Sequence, residues 1–220
     1  MPRMILVVAL LSLLAPNLGW AQDVTVTPDV VYGHKYGMAL TFDVFEPANA
    51  NGAAVLNIVS GGWRSAWRPH DVSQRRYQAL LDAGFTVFAV RHGSSPKYVL
   101  PEIVPDVRRA VRYIRLNARR LGVDPERLGV WGGSAGGHLS LMLGLGADGG
   151  DPSAEDAVLR SGNRVAAVVA YYPPVDLRPL ARGITTENAN TRFPALNFDP
   201  SEASSISPIV HVSGDDPPTL

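Results

Sequence analysis

Four short, almost wholly apolar runs constrain this chain more than anything else in it. They are AAVLNIV at 53–59, FTVFAV at 85–90, LGVW at 128–131 and VAAVVAY at 165–171. Each is too short for a typical helix and lacks polar alternation, the pattern of a strand buried on both faces. The spans between them carry helical spacing. Residues 71–83 read as a helix, with Asp71 as its expected cap and Gly84 as its left-handed stop. Val104, Val107, Ala110, Val111, Ile114, Ala118 and Leu121 form one apolar stripe. Arg108, Arg109, Arg112, Arg115, Arg119 and Arg120 lie largely off it, as a solvated face would. Residues 134–145 are apolar nearly all round, which predicts a central helix. Strand and helix alternating in this way predict an α/β fold, a mostly parallel sheet with helices on both faces. Upstream, 24–32 and 38–45 read as an N-terminal β-hairpin. Residues 148–163 read as a polar loop and 173–205 as a lid or insertion.

In such sheets, ligands bind beyond the carboxyl ends of the strands. Gly132-Gly133-Ser134-Ala135-Gly136 directly follows LGVW and directly precedes a helix. A G-x-S-x-G turn there lifts the serine oxygen above the sheet edge, at a helix N-terminus that favours developing negative charge. Ser134 is therefore the candidate nucleophile, and Gly132, Gly133 and Gly136 make the cramped bend. Val59-Ser60-Gly61-Gly62-Trp63 follows the first buried run. A glycine pair there lets the main chain approach a reacting oxygen, so Gly61, Gly62 and Ala135 are the expected N–H donors of an oxyanion hole, with Trp63 an alternative donor or a pocket residue.

The five histidines are His34, His70, His92, His138 and His211. His138, one turn past Ser134, is expected to pack or bond locally. His34 lies in the hairpin and His70 begins a helix. His211 comes in the right order for a triad, but no acid-bearing strand precedes it. His92, just after FTVFAV, reads as a substrate-pocket or loop-structuring residue, or equally as a surface histidine. Asp176 is a candidate acid, weighed against a structural role, and Asp106 reads as a first-turn carboxylate matched to the helix dipole. Gly144-Leu145-Gly146-Ala147-Asp148-Gly149 fits G-x-G-x-x-G but follows a helix, so it reads as a helix end and not a dinucleotide site.

Lys+Arg and Asp+Glu are both 20, which suggests no nucleic-acid partner, and there are no cysteines. No metal or cofactor motif is present. Residues 1–21 have a positive start, an apolar run and small residues before Ala21. That predicts a signal peptide cleaved near Ala21, hence export to periplasm or medium, and not a stable membrane span.

These residues together resemble the α/β-hydrolase fold, and within it the bacterial esterase/lipase group that includes feruloyl-esterase-like and hormone-sensitive-lipase-like enzymes. VSGGWRS at 59–65, PEIVPDVRRAVRYIR at 101–115, GVDPERLGVWGGSAGGHLSLMLG at 122–144 and SPIVHVSGDDPPTL at 207–220 carry the resemblance. It implies a serine carboxylesterase acting without cofactor on a small-molecule ester, including small or carbohydrate-linked acyl esters. The group's His-Gly-Gly-Gly is Val-Ser-Gly-Gly here, and Val90-Arg91-His92-Gly93 replaces its usual Asn-Tyr-Arg-Leu. In relatives, Asp-Asp-Pro-Pro-Thr-Leu introduces a strand whose loop bears the catalytic Asp, and the His follows later. Residues 22–220 are therefore expected to be an incomplete hydrolase domain with its last strands, catalytic Asp and His missing, and poorly active alone. The competing readings are a prolyl-oligopeptidase-type serine peptidase and a non-catalytic binding module on a hydrolase scaffold.

Overall fold

The computed structural model describes residues 23–181 and 189–220. The expected leader peptide lies outside them. Six strands form one sheet: β1 (Val24–Lys35), β2 (Met38–Pro47), β3 (Ala54–Ile58), β4 (Thr86–Val90), β5 (Leu128–Gly133) and β6 (Ala167–Tyr171), in the order β1-β2-β4-β3-β5-β6. β1, β2 and β4 pair antiparallel, whereas β4, β3, β5 and β6 run parallel. The hairpin and the four apolar runs therefore fold as their patterns predict. Residues 218–220 add a short parallel pairing beside β6, through a Val168–Thr219 bridge and Ala170 N–H donating to the Leu220 carbonyl at 2.7 Å.

The helices that position the site are α1 (His70–Asp82), α2 (Leu100–Leu116) and α3 (Ala135–Leu145). Strand parity sorts them. Leu56, Ile58, Phe88, Val90 and Val130 share a buried cluster with α2 and α3 residues. The alternate residues Val87 and Ala89 join Phe45 with Tyr77 and Leu81 of α1 in a second cluster. Successive strand side chains point to opposite faces, so α1 covers one face and α2 with α3 the other. α3 is buried along almost its whole length, as its all-round apolar sequence requires.

Three local expectations are corrected. Asp71 does not cap α1: Pro69 holds that position, and Asp71 sits in the first turn, paired with Arg75 at 3.0 Å. Gly84 does adopt the left-handed stop, at φ +82°. The arginines of α2 are not simply a solvated face. Arg108 donates to the Gly146 carbonyl at 2.9 Å, Arg109 to that of Tyr32 at 2.9 Å, and Arg115 to that of Pro125 at 2.6 Å. Arg112 pairs with Asp148. They tie α2 to β1 and to the loops after α2 and α3, while Arg119 and Arg120 remain exposed. Asp106 is not a first-turn residue either. It is buried, accepts from Gly93 N–H at 2.9 Å and pairs with Lys35 at 3.0 Å. Burial lifts its carboxyl above the usual range, against the pull of Lys35.

The stretch after β6 contains the short helices α4 (Arg178–Ala181) and α5 (Ala189–Arg192), followed by three 3₁₀ turns. It is anchored and not a detached lid. Ala195, Leu196, Ala203 and Ile206 are buried, and Leu177 N–H donates to Ser207 Oγ at 2.9 Å.

Candidate active site

β5 delivers the chain into α3 through one strained residue. Ser134 has φ 53° and ψ −120°, a conformation that costs a non-glycine residue about 1–3 kcal/mol. The surroundings enforce it. Ser134 N–H donates to the Tyr171 carbonyl at 2.9 Å, and the Ser134 carbonyl accepts from His138 N–H at 2.9 Å. The flanking glycines are compulsory. A Cβ on Gly132 would stand 2.4 Å from the Gly136 carbonyl carbon, and one on Gly136 would stand 2.7 Å from the Ile58 carbonyl oxygen. The result is a bend that holds Ser134 exposed to solvent, with its amide tied to the end of β6.

The Gly136–Ile58 approach also brings the loop after β3 against this bend. Ser60, Gly61, Gly133 and Ser134 line one cavity of about 470 Å³. Asn57 and Tyr77 form part of its wall, joined by a 2.9 Å hydrogen bond, and Tyr172 lines it from the end of β6. The loop itself is pinned. Ser65 Oγ donates to the Val59 carbonyl at 2.6 Å, Ser65 N–H to Ser94 Oγ at 2.6 Å, and Ser95 N–H to the Trp63 carbonyl at 3.1 Å.

Not all the expected oxyanion donors stand equal. Gly61 N–H donates to the Arg64 carbonyl at 2.9 Å, so the loop's own turn uses it. Gly62, at φ +56°, Trp63, at φ +57°, and Ala135, at the head of α3, make no backbone hydrogen bond through their N–H groups among the described residues. The Trp63 side chain is not the pocket wall expected of it. It is buried, and its indole N–H donates to His138 Nδ1 at 3.3 Å. His138 Nε2 in turn donates to the Ile206 carbonyl at 2.8 Å. The Nδ1 lone pair is thus taken by Trp63 and the Nε2 proton by Ile206, which leaves none free for Ser134, and burial pushes the group down to about 4.

His92 is neither a surface histidine nor a residue of this cavity. It is buried, its Nδ1 bonds the Gly93 carbonyl at 2.8 Å, and burial pushes it down to about 4. That leaves the loop-structuring role of the three readings. Asp176 accepts from Arg178 at 2.8 Å and does not line the cavity. His70 faces Asp43 at 3.5 Å, and His211 Nε2 donates to the Ser205 carbonyl at 2.9 Å. Among the described residues no group of three or more histidines and carboxylates could hold a metal ion.

Sequence reasoning missed the cationic side of this cavity. Arg64, Arg68, Arg76 and Arg91 line it, against a single carboxylate, Asp43. Arg91 directly follows β4, so the rule that residues after each strand carry chemistry could have found it. Arg76 could not be found that way, because it reaches the cavity from α1.

The chain is 26% identical over 211 residues to the probable carboxylic ester hydrolase LipM of Mycobacterium tuberculosis, covering 90% of this chain and 47% of that protein. It is 31% identical over 157 residues to the esterase LipQ of the same organism, covering 69% and 36% respectively. The chain thus spans less than half the length of these curated relatives. Among solved structures, a truncated carbohydrate esterase from gut microbiota superposes with a TM-score of 0.73 at 29% identity, covering 91% of this chain and 76% of that one. The BD-FAE family model matches residues 42–220. On its parallel sheet, its serine bend and that match, the chain belongs to the BD-FAE family of α/β-hydrolase esterases.

Proposed function

We propose that the protein is a serine-dependent carboxylic-ester hydrolase. The observation that carries this reading is Ser134, held exposed in a strained bend on a cavity shared with the loop after β3. Ser134 Oγ attacks the ester carbonyl carbon and its proton passes to a base. The oxygen that becomes negative is held by the N–H groups of Ala135 and Gly62, at the positive end of α3. The C–O bond to the alcohol then breaks, the alcohol leaves with that proton, and water hydrolyses the acyl-serine to release the acid.

None of the five histidines, as placed, hydrogen-bonds Ser134 Oγ. We assign the base and its orienting carboxylate to the part of the relatives' length that these residues do not span. The test is hydrolysis of a short-chain aryl ester by the chain extended to that length, with Ser134→Ala as control. A drop of at least about 10³-fold is expected, and equal rates would reject the reading. We infer also, from residues 1–21, that the protein is exported after cleavage near Ala21. Sequencing the N-terminus of exported protein tests this, and an intact Met1 there would refute it.

A further inference from the structure

The chain as a whole carries equal numbers of acidic and basic residues, yet the cavity beside Ser134 does not share that balance. Of its four arginines, Arg91 is neutralised. It donates to Asp43 at 2.6 and 2.9 Å and to Asp29 at 2.7 Å. That uses the only carboxylate among the described lining residues. Arg64, Arg68 and Arg76 make no ion pair among the described residues, and all three side chains are exposed. The Arg76 guanidinium lies over the Trp131 ring, its central carbon 5.2 Å from the centroid, and donates no hydrogen bond or ion pair among the described residues. Ser60 lines the same cavity, with its Oγ buried and unpartnered.

Three unpaired guanidinium groups around one concavity raise each other's electrostatic energy, and a bound anion relieves it. An arginine fork fits a planar carboxylate with two parallel hydrogen bonds. At about 470 Å³ the cavity suits a small molecule, whereas a polyanion would need a longer basic track. We propose that this cavity is a carboxylate-recognition subsite, so that the preferred ester carries a second, ionised carboxyl group, bound by Arg64, Arg68 and Arg76 while its ester carbonyl faces Ser134. The subsite stands on the arginines alone, and its use in catalysis rests on the esterase reading above.

Calorimetric titration of the 220-residue chain at low salt tests the subsite without requiring turnover. Glutarate is expected to bind, and its neutral isostere glutaramide to bind at least about tenfold more weakly. Binding should weaken in 0.5 M NaCl, and R64Q/R68Q/R76Q should lower glutarate affinity at least about tenfold. These arginines are exposed, so the triple variant is expected to fold, and its circular dichroism checks this. Equal affinity for glutarate and glutaramide, or undiminished binding by a folded triple variant, would overturn the subsite. Inorganic phosphate binding more tightly than glutarate would overturn the carboxylate assignment. In the extended enzyme, the kcat/KM ratio of mono-4-nitrophenyl glutarate to 4-nitrophenyl valerate should exceed one and fall at least about tenfold in the triple variant. Selective glutarate binding without hydrolysis of either ester would sink the esterase reading and leave the subsite standing. An unchanged ratio in an active triple variant would overturn the subsite's role in selecting substrate.

Discussion

Trp63 donates its indole N–H to Nδ1 of His138 at 3.3 Å, across 75 positions of sequence. The link fixes the tautomer, because Nε2 must then carry the proton it gives to the Ile206 carbonyl at 2.8 Å. The edge-on rings of Trp63 and His138, with centroids 5.7 Å apart, join the loop after β3 to the helix behind the nucleophile. Replacing His138 by Leu would leave the indole N–H and the Ile206 carbonyl buried without partners. We expect His138→Leu to cost about 2–4 kcal/mol of stability, measured by urea unfolding. A loss below about 0.5 kcal/mol would show that the link contributes little.

Burial pushes both His92 and His138 down to about 4, from an unfolded value near 6.5. Between those pH values the unfolded chain binds more protons than the native one, so stability rises with pH across that window. The contribution is fully present above about pH 6.5 and is lost as pH falls towards 4. The urea midpoint should therefore drop between pH 6.5 and 4.5. In His92→Gln the slope should lessen by roughly one proton. A midpoint flat over this range would contradict the burial of these rings.

Ser134 is exposed, and its side chain makes no hydrogen bond among the described residues, yet its backbone sits at φ 53°. Glycine reaches that conformation without strain, although it loses more entropy on folding. Ser134→Gly is therefore expected to unfold at a higher temperature, corresponding to about 1 kcal/mol, while hydrolysing no ester. A less stable Ser134→Gly would mean that the bend is not strained.

Much of the fold could be read from residue patterns. The four apolar runs fold as parallel strands because burial on both faces demands such a pattern, and Gly132–Gly136 specify their bend sterically. What escaped was set by groups distant in sequence. Asp106 looked like a first-turn carboxylate matched to the helix dipole, but Lys35 and the Gly93 amide, which let it be buried, come from other elements. The arginines of α2 lie off the apolar stripe, as solvated ones would, and only the fold shows the carbonyls of Tyr32, Pro125 and Gly146 waiting for them. Gly61 sits where a donor to a reacting oxygen was expected, but the four-residue turn back to Arg64 uses its amide. Trp63 read as a pocket residue because it follows the glycine pair, and its φ of 57° turns it into the core instead.

The loop bearing Gly62 and the bend bearing Ser134 leave from β3 and β5, which pair directly from Ala54↔Leu128 to Asn57↔Trp131. The proposed nucleophile and oxyanion donor thus stand on turns that leave neighbouring strands. Arg76 comes from α1 and Tyr172 from just beyond β6, outside that pairing. On the proposed roles, substitution at Arg76 is therefore expected to change which esters are admitted while the Ser134 bend is inherited unaltered.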